Sequence, residues 1–242
     1  MVDKVLDIIQ KKEIKLHSNH AIRESVRLGI LLAIVGGFLD AYTFIGRGGV
    51  FANAQTGNIV LLGTYAAKGE FRQALVHIPP ILACVTGVGI VESIKKFSSR
   101  LFMLDWTQAV LIIEILFLII VGFMPNTVPN IVVTVIVSFV ASIQVSSFRK
   151  LVDSPYTTTM STGNLRSAAQ AAFIAITEKD HEAAIRGIRY FTIIFSFIFG
   201  AFLGGLLTLS VGEKAIWCSA IVLVFAVILV RIEEQKITKM KN

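Results

Sequence analysis

Charged residues are scarce in this chain. Asp, Glu, Lys and Arg make up 16% of its 242 residues, where a soluble globular domain carries about 25%. So little polar surface excludes a large soluble core, because too little is left to cover it in water. Cysteine is scarcer still. Cys84 and Cys218 are the only two, and both stand inside apolar segments. They read as small packing residues and support neither a disulfide framework nor a thiolate metal site. His77 has no second ligand at a useful spacing and reads as interfacial, so no metal is expected. The chain also lacks a P-loop, a GxSxG elbow, an HExxH helix and any cysteine cluster. Neither an enzyme nor a bound cofactor is expected on these grounds. The charged opening stretch leads to no small-residue cleavage site, so a cleaved signal is not expected either.

What the chain has is apolar length. Hydrophobic residues account for 55% of it. Runs such as AVLIIEILFLIIVGFM and IVVTVIVSFVASIQV approach the ~20 apolar residues that cross a bilayer core. The reading is an all-α polytopic membrane protein. The formal charge of +7 does not indicate nucleic acid. Its basic residues lie in the tails and between apolar segments, where cytoplasmic anchors meet anionic lipid headgroups. Residues 1–26 form a basic segment with a partly amphipathic stripe, read as an interfacial cytoplasmic helix or a disordered tail. Two membrane units follow, 27–124 and 131–231, and a basic tail, 232–242, closes the chain.

The two units echo each other. Thr56-Gly57-Asn58 returns as Thr162-Gly163-Asn164, Phe44 pairs with Phe148, and Asp40 falls opposite Gln144. Lys68 pairs with Lys179, Gly89 with Gly200, and Trp106 with Trp217. The offset drifts from 104 to 106 to 111, as small loop insertions produce, and such ordered self-similarity marks a duplicated unit. The first unit reads as helices over about 27–46, 74–95 and 107–124, with a short segment 57–67 after the first triplet. Pro79-Pro80 is expected to kink the second of these helices. The second unit repeats the plan over about 131–149, 163–176, 188–209 and 216–231.

The short segments decide the topology. At 1.5 Å per residue, 10–12 residues reach only ~15–18 Å of a ~30 Å core. If they span, the chain crosses eight times in parallel repeats. If they dip in and return, it crosses six times in inverted repeats. The positive-inside rule favours the second arrangement. It places Lys95, Lys96, Arg100, Arg149 and Lys150 inside with both termini, and the uncharged loop 125–130 outside. The expected fold is therefore two inverted repeats, each of three transmembrane helices plus a half-helix beginning at Thr-Gly-Asn. The expected location is the plasma (inner) membrane.

Polar residues inside such a frame are the site candidates. Each triplet suits a broken helix: glycine frees the backbone, and Thr and Asn can cap exposed amides. The same triplet also suits plain backbone satisfaction and close packing. Asp40, within the first helix, is an intramembrane acid and so a functional candidate. Its other reading is a capping acid serving the glycine-rich loop at 46–49. Glu114 lies mid-helix opposite Phe225, either hydrogen-bonded to a neighbouring helix or coupling a proton. Substrate contacts are expected from Asp40, Phe44, Thr56, Gly57, Asn58, Gln144, Phe148, Thr162, Gly163 and Asn164. Proton or ion coupling is expected from Asp40 and Glu114. Gly36-Gly37, Gly87, Gly89, Gly200 and Gly204 read as close helix approaches.

The stretch GGFLDAYTFIGRGGVFANAQTGNIVLLG, with SIQVSSFRKL and TTTMSTGNLRSAA, resembles the YoaK-like family of small bacterial membrane proteins, classed as a domain of unknown function. The resemblance covers about residues 25–230 and implies a membrane location without naming an activity. Inverted repeats with broken helices hold their sites near the bilayer midplane. The expected function is a transporter or channel for a small polar or anionic solute. The alternative is a non-transporting scaffold, lipid-binding or assembly protein. Expected partners are membrane lipids and a small molecule or ion, with no nucleic acid, and a homo-oligomer is compatible with the pattern.

Overall fold

A computed structural model describes residues 25–97, 106–148, 150–151, 154–155 and 161–239. The expected N-terminal amphipathic segment lies outside the described residues, apart from its last two. Helix α1 spans Val26–Gly46 and ends where Gly48 and Gly49 take positive φ angles of 88° and 78°, open to glycine at little cost. Helix α2 runs over Gln55–Ala67, and α3 is a short turn, Phe71–Leu75. Helix α4 spans Ile78–Phe97. The expected kink is instead a full break at Val76-His77. Pro79 and Pro80 then sit in the first turn of α4, where backbone amides have no intrahelical acceptor to lose.

Helix α5 spans Trp106–Gly122 and α6 spans Asn130–Ser147. Two-residue strands, β1 Lys150–Leu151 and β2 Ser154–Pro155, pair antiparallel. Helix α7 covers Ser161–Thr177, α8 covers His181–Val211, and a 3-10 turn over Gly212–Ala215 leads into α9, Ile216–Lys239. Helix α8 starts at His181 rather than near 188. Asp180 caps it, its carboxylate accepting from the Glu182 and Ala183 amides at 2.8 and 3.1 Å, and this satisfies amides the helix itself cannot. Helix α9 outruns the expected 231 because Glu233, Glu234, Gln235 and Lys236 are good helix formers that carry it past the apolar stretch.

Four stretches among the described residues are long and apolar enough to cross a membrane: Val26–Gly46, Phe71–Phe97, Asn130–Ser147 and His181–Lys236. The last contains both α8 and α9. Helix α5 is equally apolar but, at 17 residues, reaches about 26 Å. Neither α2 nor α7 joins this set. Helix α7 is longer than expected, yet Arg166, Gln170 and its hydroxyl residues keep it from being an apolar span.

Polarity is arranged inside out. Phe173, Phe195, Phe202, Leu209 and Phe225 face outward, each more than half exposed. Asp40, Arg47, Asn58, His77, Glu114, Gln144 and Asn164 are buried. An outer surface this apolar is costly in water and suits lipid.

The helices pair across the two units. Helix α1 packs on α8 and α4 on α6, while α1 also meets α9 and α6 meets α5. Each unit's first helix thus lies on the other unit's long third one. Direction follows from the contacts. Gly37 of α1 faces Phe197 and Ala201, and Gly204 of α8 faces Phe38, so α1 and α8 run the same way. Gly87 of α4 lies against Phe139 and Ser142 of α6, and Lys95 donates to the Ser146 carbonyl at 3.1 Å, so that pair is parallel too. Helices α5 and α9 run oppositely. Gln108 at the start of α5 donates to Glu234 near the end of α9 at 2.6 Å, and Trp217 at the start of α9 donates to the Ile119 carbonyl at 3.3 Å.

Close approach rests on missing side chains. A Cβ on Gly37 or Gly200 would overlap backbone carbonyls of Phe197 and Ile34 respectively. Between apolar helices in lipid, van der Waals packing rather than water exclusion holds the pair, so small residues matter most. Gly89 differs from the expectation. Nothing stands within 4 Å of its would-be Cβ, because it turns outward, and Gly87 makes the contact.

Candidate functional site

A cavity of about 1110 Å³ opens between the two units. Its wall is built from Asp40 and Phe44 of α1, the loop 51–54, the first turn of α2, Cys84 and Val88 of α4, three serines of α6, the first turn of α7, and Phe197 and Ala201 of α8. Both Thr-Gly-Asn segments border this one space.

Asp40 organises the first half of it. Its Oδ1 accepts from the Asn53 amide at 2.7 Å and from the Ala54 amide at 3.3 Å. Ala54, the residue preceding α2, has no polar side chain to cap that helix. The carboxylate from α1 does so instead, from 13 and 14 residues away in sequence. The Asn53 side chain donates to the Gly36 carbonyl at 3.2 Å and pins the loop to the middle of α1. Asp40 thus serves the loop before α2, not the glycine turn at 46–49. Its second oxygen, Oδ2, is buried without a hydrogen-bond partner.

The triplet itself does not cap. Helix α2 starts at Gln55, so Thr56, Gly57 and Asn58 lie in its first turn. Asn58 folds back on Phe51. It accepts the Phe51 amide at 2.9 Å and donates to the Phe51 carbonyl at 2.8 Å, as a neighbouring strand would. It also donates to Gln55 Oε1 at 2.9 Å, and His77 Nδ1 lies 3.4 Å from its Oδ1. His77 is buried, and its ring stacks on Tyr65 at 5.8 Å. Gly57 passes under the Phe51 ring, where a Cβ would come within 2.7 Å of a ring carbon. Phe51 in turn stacks on Phe44 with centroids 4.6 Å apart and planes 17° off parallel.

The sequence candidates therefore divide. Asp40, Phe44, Thr56, Thr162, Gly163 and Asn164 line the cavity. Gly57 and Asn58 shape its wall from behind. Gln144, Phe148 and Glu114 do not reach it. Phe148 is buried in the main core although its counterpart Phe44 is 42% exposed. Gln144 lies beside Glu114, and both Glu114 oxygens and the Gln144 amide nitrogen are buried without a partner that meets hydrogen-bond geometry.

Sequence reasoning missed Asn53 and the serines of α6. Ser138, Ser142 and Ser146 all line the cavity. Their signal was present: a serine at every fourth position puts three hydroxyls on one helix face.

The model of one protein family, described as "Protein of unknown function (DUF1275)", matches residues 28–229. The chain belongs to this family. The DUF1275 match runs from α1 into α9 and includes both triplets, Asp40 and the whole cavity wall. It is consistent with the YoaK-like resemblance of the sequence. No curated protein and no solved structure matches the chain.

Proposed function

We propose that this DUF1275 protein is a transporter or channel for a small polar solute, not an enzyme, and that its two units form an inverted repeat. One observation carries the proposal: both triplet segments, which are far apart in sequence, end at a single cavity that also takes in the intramembrane acid Asp40. The opposed directions of the corresponding helices α5 and α9 support inversion, since parallel repeats would align them. Six crossings follow, made by α1, the stretch from α3 through α4, α5, α6, α8 and α9. Helices α2 and α7 then enter from opposite faces and stop at the cavity, as broken helices do at transporter sites. Charge supports cytoplasmic termini in the plasma membrane. Lys95, Lys96, Arg186, Arg189 and Lys236 fall at one end of the bundle and the uncharged loop 125–130 at the other.

Flux tests this reading. Purified full-length protein in liposomes is expected to carry at least one member of a panel of inorganic ions, amines, small acids and nucleobases. Asp40→Asn should lower that flux. Protein that is folded and correctly inserted, yet passes none of the panel above empty-liposome leak, would favour the scaffold alternative.

A further inference from the structure

Resting on the transport reading, we infer that the cavity recognises a small organic cation of the amine class, held between the Asp40 carboxylate and the Phe44–Phe51 aromatic pair. Among the described residues, Asp40 is the only ionisable acid or base in the wall apart from the Cys84 thiol, and no lysine, arginine or histidine lines the cavity. An anion therefore meets no cationic side chain among the described residues of the wall. The start of α2, which offers the partial positive charge of a helix N-terminus, is already occupied by Asp40 Oδ1.

The remaining oxygen is what a cation needs. Asp40 is 5% exposed, and its Oδ2 has no hydrogen-bond partner. A buried acceptor left unpaired is expensive, and an ammonium N–H donor would satisfy it. Ser138 is a second buried residue of the wall whose hydroxyl has no partner.

The aromatic pair decides between an organic and an inorganic cation. Phe44, one helical turn from Asp40, stacks on Phe51 at 4.6 Å, which covers one face of the Phe44 ring and leaves the other outside the stack, and Phe197 adds a third ring to the wall. Ring faces attract cations, and they favour poorly hydrated ammonium groups with apolar substituents. A volume of about 1110 Å³ also far exceeds a bare ion and accommodates a molecule with a carbon frame.

The test is binding to detergent-purified full-length protein with three probes of one shape: benzylamine, benzyl alcohol and benzoate. Benzylamine is expected to bind at least tenfold more tightly than the other two. Asp40→Asn should remove that preference. Because Asp40 also holds the loop before α2, Phe44→Leu serves as the second variant. It keeps bulk at a half-exposed position and removes the ring, and it should weaken benzylamine about tenfold with unchanged melting temperature. Benzoate or benzyl alcohol binding as well as benzylamine would overturn the inference. So would competition by sodium at concentrations equal to the amine, or unaltered benzylamine binding in Phe44→Leu. Liposome flux separates the two proposals. Flux of some other solute with no amine binding sinks the amine inference alone, whereas amine binding without any flux sinks transport alone.

Discussion

At the scale of the residue, Asp40 and Asn58 do different work although both looked like substrate contacts. Asn58 substitutes for a strand by engaging both backbone groups of Phe51. Asn58→Ala leaves that amide and carbonyl without partners, at about 1–3 kcal/mol for each buried group. We expect the unfolding midpoint in detergent to fall by several degrees. Thr56→Ala, two residues away on the exposed cavity side, should leave the midpoint within a degree or two; equal losses in both variants would refute the structural role of Asn58. Asp40→Asn keeps an oxygen for the Asn53 and Ala54 amides, so the fold should persist. It removes the charge, and a charge-assisted hydrogen bond contributes about 1.5–3 kcal/mol. Transport should therefore drop about ten- to a hundredfold. Normal flux in this variant would make Asp40 purely a helix cap and turn attention to Glu114.

At the scale of the element, the pairing of α1 with α8 depends on glycine. Gly200→Ala pushes a methyl group into the Ile34 backbone, and because backbone cannot rotate away, the two helices must part. Overpacking of this kind costs about 1–3 kcal/mol. Gly89→Ala, in open surroundings on α4, should be neutral or stabilising by up to about 1 kcal/mol, since alanine is the better helix former. Thermal melts of the two variants compared side by side check both. A stabilised Gly200→Ala would mean that α1 and α8 are not in contact at Ile34. The repeat pairing of Gly89 with Gly200 thus joins two residues with opposite roles. Sequence correspondence located the helices, but a shift of part of a turn moved the contact to Gly87.

At the scale of the whole molecule, crossing number is the decisive quantity. Six crossings place Asn126 and Glu178 on opposite faces, whereas eight crossings place both on the same face. Both residues are exposed in loops. In protein lacking Cys84 and Cys218, single cysteines at 126 and 178 should be labelled by an impermeant thiol reagent from opposite sides of right-side-out vesicles. Labelling of both from outside, or protection of both, would reject the inverted arrangement. The same experiment tests the charge argument, because Asn126 lies in the uncharged loop and Glu178 beside Lys179, Arg186 and Arg189.

The sequence by itself determined the all-helical character, the long apolar stretches and the recurrence of Thr-Gly-Asn. Each of these is written locally: apolar run length, glycine and proline punctuation, and residues recurring in order are properties of neighbouring positions along the chain. Asp40, Phe44 and the two triplets were legible as candidates for the same reason, since a polar or glycine-containing interruption of an apolar run is conspicuous. Only the tertiary structure decided what those residues touch. That Asp40 caps α2, that Phe148 turns into the core while Phe44 faces the cavity, and that Gln144 meets Glu114 all depend on partners from other helices. A one-dimensional repeat assigns equivalent places to Asp40 and Gln144. The packed molecule gives them different neighbours, because the side chains around them differ between the units, and it is those neighbours that fix which polar group faces the cavity and which is sealed behind its wall.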